Sequence, residues 1–396
     1  MKKAIEIKKG IYWVGAVDWD LRNFHGYRTQ RGSTYNAYLI IDEEITLVDT
    51  VKHYFYGEML ERIKSIIDPA DIKYIISNHV EMDHSGSLPE ILELCPDAVV
   101  VTSPNGEKGL RQHYYGLDWT FKTVNTGDVL SIGNHDISFV LTQMVHWPDS
   151  MVSYIEKEKL LLSNDAFGQH IASDERFDDE IDIDIIKNEA AKYYANIVLP
   201  YGVSVQKALK AVSSLDVEMI APSHGIIWRK HIDDIVTLYK KWSENQVETK
   251  AVIVYDTMWG STKKIAELIN DVFNGKKITT KLFNLRDIHI SDIMTEVLDA
   301  KYVCVGSPTL NNGIMPTVSA FLTYLKGLSP KGRIGLAFGS YGWGGQSIGQ
   351  IYEVLKSCGC DMLEAISFQY VPDNEILRAI EEKVKDDIVA SDYGQN

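Results

Sequence analysis

Asn78-His79-Val80-Glu81-Met82-Asp83-His84-Ser85-Gly86 follows the apolar run KYIIS and precedes a helical pattern that begins near Leu88. His79, Glu81, Asp83 and His84 place four potential metal ligands in six residues, which a solvated loop does not explain. In an extended segment residues 79, 81 and 83 alternate onto one face, and His84 turns to a neighbouring position as the chain curls toward the helix. Outward from this stretch the same arrangement recurs. QMV ends at His146 before Trp147-Pro148, LLLSN ends at Asp165, and MIAPS ends at His224 before Gly225. Each is a short apolar strand with a ligand at its exit. His170 lacks a preceding apolar strand and is left out of the set.

The half that carries these residues opens with antiparallel-looking strands (KGIYWVGAV, TYNAYLIIDE, EITLVDT), then a helix near Tyr56–Ile67 and the strand KYIIS. More strands follow around VVVTS, FKTVN, DISFVLTQMV, SMVSYIEKEK and KLLLSN, with helices from about Asp184. This pattern predicts an α+β two-layer or αββα sandwich. A polar bridge, Trp242 to Lys250, then separates a helical pattern from the apolar strand AVIVYD, and a domain boundary is expected near residue 248.

Beyond it strands alternate with helices: Ala251–Asp256, Thr280–Asn284, Tyr302–Gly306, Ile334–Gly339 and Leu363–Val371. Between them Ile265, Leu268, Ile269, Val272 and Phe273 form one helical stripe. Val318, Phe321, Leu322 and Leu325 form another, with Pro316 suited to its start and Gly327 to its stop. Regular βα alternation predicts a doubly wound parallel sheet.

Composition limits the partners. The 396 residues carry 40 Lys+Arg against 55 Asp+Glu, a formal charge of -15, so nucleic acid and anionic membranes are not expected. No stretch reaches the ~20 apolar residues that cross a bilayer. The start, MKKAIEIKKG, is too short and charge-broken for a secretory signal, and a cytoplasmic location is expected. None of the four cysteines, Cys95, Cys304, Cys358 and Cys360, forms a CxxC pair, which argues against rubredoxin-type iron and zinc-ribbon sites.

The ligand pattern resembles that of the metallo-β-lactamase superfamily, HxHxDH followed by His, Asp and His, with Glu81 in place of the middle His. A carboxylate there makes the site harder and more anionic, which suits iron cycling between ferrous and ferric states. The resemblance implies His79, Glu81 and His146 on one iron, Asp83, His84 and His224 on the other, and Asp165 bridging metals ~3.5–4 Å apart. His84 is the ligand that can rotate away.

In the other half, AVIVYD runs into Thr257-Met258-Trp259-Gly260-Ser261-Thr262 and an amphipathic helix. Gly260 permits a tight turn. Hydroxyls at 257, 261 and 262 can bond a phosphate, and the helix N-terminus adds N–H groups and a positive dipole end. GxxxxGK[ST] is absent, so a nucleoside triphosphate is not expected. The loop resembles the FMN-phosphate loop of flavodoxins. Pro308-Thr309-Leu310-Asn311-Asn312-Gly313 and Ser340-Tyr341-Gly342-Trp343-Gly344-Gly345 also follow strands. In a 2-1-3-4-5 sheet the three loops converge at the carboxyl edge, with Trp259, Tyr341 and Trp343 as candidates for stacking on the ring.

A metallo-β-lactamase-like half followed by a flavodoxin-like half is similar, over nearly the whole length, to the flavodiiron proteins (A-type flavoproteins, rubredoxin:oxygen or nitric oxide oxidoreductases). The resemblance implies an α/β chain with an αββα sandwich over residues 1–248 and a flavodoxin-like sheet over 249–396. It implies a cytoplasmic enzyme with FMN and two non-haem irons that reduces O2 to water, NO to N2O, or both. With no rubredoxin domain of its own, electrons are expected from a separate rubredoxin or a reduced deazaflavin. A head-to-tail homodimer, or a dimer of such dimers, would set one subunit's FMN against its partner's irons. His25 and the Tyr193-Tyr194 pair resemble residues that line the substrate pocket. Two other readings are a zinc hydrolase fused to a flavodoxin-like domain, opposed by Glu81, and an electron-transfer flavoprotein with a decayed metal site, opposed by the complete ligand set.

Overall fold

The computed structural model describes residues 2–393; Met1 and residues 394–396, at the two ends of the expected domains, lie outside it. The chain divides into two compact units. One runs to Tyr193 and resumes over Tyr201–Glu244; the other comprises Tyr194–Pro200 and the chain from Asn245.

In the first unit seven strands form a sheet in chain order: β1 (Ile5–Lys8), β2 (Ile11–Trp13), β3 (Tyr38–Ile40), β4 (Thr46–Val48), β5 (Tyr74–Ile76), β6 (Val99–Thr102) and β7 (Thr120–Thr123). Pairing is antiparallel up to β4 and parallel from β4 to β7. A second sheet holds β8 (Val129–Ser131), β9 (Asp136–Leu141), β10 (Met151–Ile155), β11 (Leu160–Asn164) and β12 (Met219–Pro222), with only β11 and β12 parallel.

Strand periodicity sorts the layers, because neighbouring side chains face opposite ways. Leu39, Leu47, Ile75 and Val100 pack against Met59 and Ile63 of α1 (Tyr56–Lys64), and α2 (Met82–Ser85) precedes α3 (Leu88–Leu94), which adds Leu88 and Ile91. Leu110 of α4 (Pro104–His113) completes that layer. The next residues along, Ile40, Val48, Ile76 and Val101, meet Ile137, Phe139, Met151 and Leu162 of the second sheet. Each such burial contributes about 1.5–3 kcal/mol. After α5 (Ile183–Tyr193), the outer face of the second sheet, at Val152 and Leu161, adjoins Val205 and Leu209 of α6 (Gly202–Val212) and Tyr239 of α7 (Ile232–Ser243). The unit is an αββα sandwich.

The second unit holds β13 (Glu248–Tyr255), β14 (Thr279–Asn284), β15 (Ala300–Gly306), β16 (Ile334–Tyr341), β17 (Asp361–Met362) and β18 (Ile366–Gln369). All pairs are parallel, in the order β14-β13-β15-β16-β17 with β18 also on β16, the expected 2-1-3-4-5 arrangement. Ala251, Ile253 and Tyr255 meet Ile265, Ile269 and Phe273 of α8 (Ser261–Gly275) and, at the chain's end, Ile380 and Val384 of α12 (Asn374–Tyr393). Their alternates Val252 and Val254 are buried too, as a parallel sheet covered on both faces requires. The covering helices are α9 (Ile290–Val297), α10 (Pro316–Leu328) and α11 (Gln346–Ser357). The α10 stripe is Val318, Phe321, Leu322 and Leu325, as its spacing predicts. The helix does not stop at Gly327, which lies inside it; Ser329, with φ 46°, is the left-handed cap.

Candidate functional site

The reading of residues 79–83 as one extended face is overturned. β5 ends at Ile76, Glu81 is the extended residue before α2, and Asp83 and His84 lie within that helical turn. The turn splits the motif. His79 and Glu81 gather with His146 and Asp165, while Asp83 and His84 gather with His224, each set offering ligand atoms within 4.8 Å of one another. His146 reaches its place from a loop and not from a strand exit. β9 stops at Leu141, opposite Met151, and residues 142–150 form the hairpin's turn, closed by Thr142 N–H on Ser150 O at 2.9 Å.

Asp165, at the exit of β11, faces both sets. Its Oδ2 lies 3.1 Å from His146 Nε2 and 3.6 Å from His79 Nε2. Its Oδ1 lies 3.0 Å from His84 Nε2 and 3.6 Å from His224 Nε2. Glu81 Oε2 is 3.4 Å from both His79 and His146, and Asp83 Oδ2 is 3.1 Å from His224. Despite this crowding, His79 Nε2, His84 Nε2, Asp165 Oδ2 and both Asp83 oxygens are buried without a hydrogen bond. The ligand atoms of each set crowd within 4.8 Å of one another while these members stay unpaired. Buried polar atoms are rarely left so, and here a cation within each set would satisfy all of them.

The electrostatics agree. Burial alone would lower the imidazoles, yet Asp149 and Glu81 push His79 up to about 10, Asp83 and Asp165 push His84 up to about 9, and Asp165 and Glu81 push His146 up to about 10. Burial would raise Glu81, Asp83 and Asp165, but the histidines around them hold all three below the usual carboxylate range. A pocket that holds protons on its imidazoles this strongly calls for positive charge.

Outer partners fix the ligand atoms. His79 Nδ1 lies 2.9 Å from Asp149 Oδ2, which also accepts Val80 N–H, and His224 Nδ1 donates to Thr34 O at 2.7 Å. Both rings therefore present Nε2 to the site. Asp49 accepts from Asn78 N–H, Asn78 Nδ2 and Asn164 Nδ2, so it ties the strand exits that carry His79 and Asp165. Sequence reading missed Asp49 and Asp149. Asp49 carries the same signal as Asp165, an acid just past the apolar strand β4; Asp149, inside a turn, carries no periodic signal.

His25, with φ 54°, is largely exposed and holds its Nε2 2.7 Å from Glu81 Oε1. Tyr193 is buried, its ring 6.1 Å from His224 and 5.2 Å from His170. Tyr194 groups with the second unit. His170 belongs to neither ligand set; its Nδ1 lies 2.7 Å from Ser33 Oγ.

In the second unit a cavity of about 720 Å³ opens at the carboxyl edge, within the ~300–1,000 Å³ range of ligand sites. Of the expected residues, Met258, Trp259, Ser261, Pro308, Thr309, Leu310, Asn311, Asn312, Ser340, Tyr341, Gly342, Trp343 and Gly344 line it. Thr257, Gly260, Thr262, Gly313 and Gly345 do not. Thr257 Oγ1 accepts Gly260 N–H at 3.1 Å, and Thr262 Oγ1 is 3.1 Å from Ser340 Oγ, so these hydroxyls shape the loops. Asn311 and Asn312, at φ 49° and 60°, turn a two-residue hairpin, the conformation such turns demand. Tyr370 and Val371 also line the cavity and were missed, because the sequence pattern placed them within a strand over Leu363–Val371, whereas β18 ends at Gln369.

Residues 34–225 match the ODP family beta lactamase model, and residues 253–384 match Flavodoxin. The nitric oxide reductase of Moorella thermoacetica is 46% identical over 384 residues, 96% of each chain. The rubredoxin-oxygen oxidoreductase of Megalodesulfovibrio gigas is 44% identical over 365 residues, 91% of each chain. The structure of the flavodiiron protein from Giardia intestinalis superposes with a TM-score of 0.95 at 34% identity, over 98% of this chain and 96% of that one. Among the described residues no helix is long and apolar enough to cross a membrane.

Proposed function

We propose that this chain, which belongs to the flavodiiron proteins, reduces O2 to water, NO to N2O, or both, with electrons from a rubredoxin or a similar donor. It is an oxidoreductase, its cofactors are FMN and two non-haem irons, and we place its metal-binding and flavin-binding domains on either side of the division at Glu244/Asn245, a few residues before the expected boundary near 248. The observation that carries the reading is Asp165, whose two oxygens each face a separate set of converging, unsatisfied ligand atoms. His79, Glu81 and His146 would hold one iron and Asp83, His84 and His224 the other, with Asp165 shared. The iron pair supplies electrons and a polarising site for the gas, and FMN supplies further electrons from the donor.

The chain's own residues do the rest. Glu81, Asp83 and Asp165 make the site hard and anionic, which favours iron over an imidazole-rich zinc centre and opposes the hydrolase reading. Asp149 and the Thr34 carbonyl hold two rings in the ligating tautomer. Burial of His79, His84, His224 and Asp165 keeps bulk water from the ligand atoms. His25 holds its Nε2 against Glu81 from the solvent side, where it orients that carboxylate and can deliver a proton to bound gas. His25→Ala is expected to lower turnover of both gases about tenfold with iron content retained. Unchanged steady-state rates would remove His25 from the site.

A head-to-tail dimer, or a dimer of dimers, in the cytoplasm completes the proposal. Trp259 and Trp343 are 94% and 92% exposed at the flavin cavity, and Met82, beside the metal ligands, is 52% exposed. Apolar rims at both mouths suit a covering second copy. Sedimentation of the holoprotein should give at least twice 44.7 kDa, and a monomer transferring electrons from FMN to iron at the dimer's rate would contradict the arrangement.

A further inference from the structure

At the start of the phosphate loop sits a carboxylate that the proposed cofactor does not explain. Asp256 directly follows β13 and is 1% exposed. Its Oδ1 accepts from Thr257 N–H at 2.6 Å and from Arg286 Nε at 2.7 Å, and its Oδ2 accepts from Thr317 Oγ1 of α10 at 2.5 Å. Arg286, past the end of β14 and half exposed, also donates from Nη2 to the Thr257 carbonyl at 2.6 Å. One guanidinium thus brackets the first peptide of the loop, on the acid before it and the carbonyl within it.

Two physical consequences follow. A buried carboxylate two residues before the cavity lining opposes a bound phosphate unless a fixed cation offsets it, and the Arg286 guanidinium is placed to do so. A carbonyl free to turn toward the phosphate would oppose it as well; the bond to Arg286 holds that oxygen aside, while Thr257 Oγ1 closes the turn on Gly260 N–H at 3.1 Å. A planar fork reaches both acceptors at once, which an ammonium point charge does not reproduce.

We infer that Arg286 is a positioning residue for the cofactor's phosphate: by bracketing Asp256 and the Thr257 carbonyl it makes the loop a phosphate site, so that affinity for FMN depends on it while affinity for riboflavin does not. The inference rests on the FMN reading of the cavity. The test uses the full-length protein stripped of flavin and titrated with FMN and with riboflavin, following quenching of flavin fluorescence. Wild-type protein that fails to bind FMN would remove the cavity reading itself. Given wild-type binding, Arg286→Met is expected to raise the FMN Kd about tenfold or more, with the riboflavin Kd changed by less than about twofold. Thr317→Val, which frees Oδ2 and leaves Arg286 in place, should shift FMN in the same sense by about threefold. Unchanged FMN affinity in Arg286→Met, or an equal loss for FMN and riboflavin in either variant, overturns the assignment.

Discussion

Asp165→Ala is expected to empty both metal positions at once and to lower turnover by about a thousandfold or more, since even outer partners of metal ligands cost roughly 10–100-fold. The reason is the division of its oxygens, Oδ1 toward His84 and His224 and Oδ2 toward His79 and His146. Removing the carboxylate takes the one anion that both sets share and leaves Glu81 and Asp83 as the only carboxylates among four imidazoles. Asp165→Asn offers one oxygen and an amide that cannot ligate, so it should keep one metal poorly and the other not at all. Metal analysis of the purified variants separates the outcomes. If Asp165→Ala keeps one iron at full occupancy, the two sets do not share this residue and the paired-metal account fails.

Stripping the flavin while keeping iron should lower steady-state turnover with a protein donor by about a hundredfold or more, the scale of loss when a positioned reactant is removed. Adding FMN back should restore it. The cavity stands at the carboxyl edge where β13, β15 and β16 end, at the switch point of a 2-1-3-4-5 sheet. A flavin held there would take electrons from the donor, and irons held by the ligand sets of the first unit would be the groups they reduce. Flavin-free protein reduced chemically should still consume a single aliquot of gas and then stop. Sustained turnover without flavin would show that the donor reaches the metals directly.

Much of this was legible in the chain because strands announce themselves. The apolar runs before His79, Asp165 and His224 end at β5, β11 and β12, and period-two alternation in Leu39/Ile40 or Ile75/Ile76 assigns each side chain to its layer. What escaped lies where no period exists. α2 is a single helical turn, too short for a hydrophobic stripe, yet it decides which ligands share a set. His146 sits in a turn well past the last paired residue of β9, so its apolar neighbours Met144 and Val145 mimic a strand that has already ended. Asp49, Asp149, Tyr370 and Val371 act through tertiary contact alone. In the loop around Gly260 the hydroxyl chemistry was visible, but not that Thr257 and Thr262 spend it on neighbouring loop groups.

Whether paired irons held by four histidines and three carboxylates are refilled by a flavin in the same protein is decided by an anaerobic turnover assay. FMN-replete protein of measured metal content is given reduced rubredoxin and then O2 or NO, and gas uptake is followed. The protein should hold about two irons and one FMN per chain and continue to consume at least one gas. Zinc in place of iron, or iron-loaded protein that consumes neither gas, would contradict this reading.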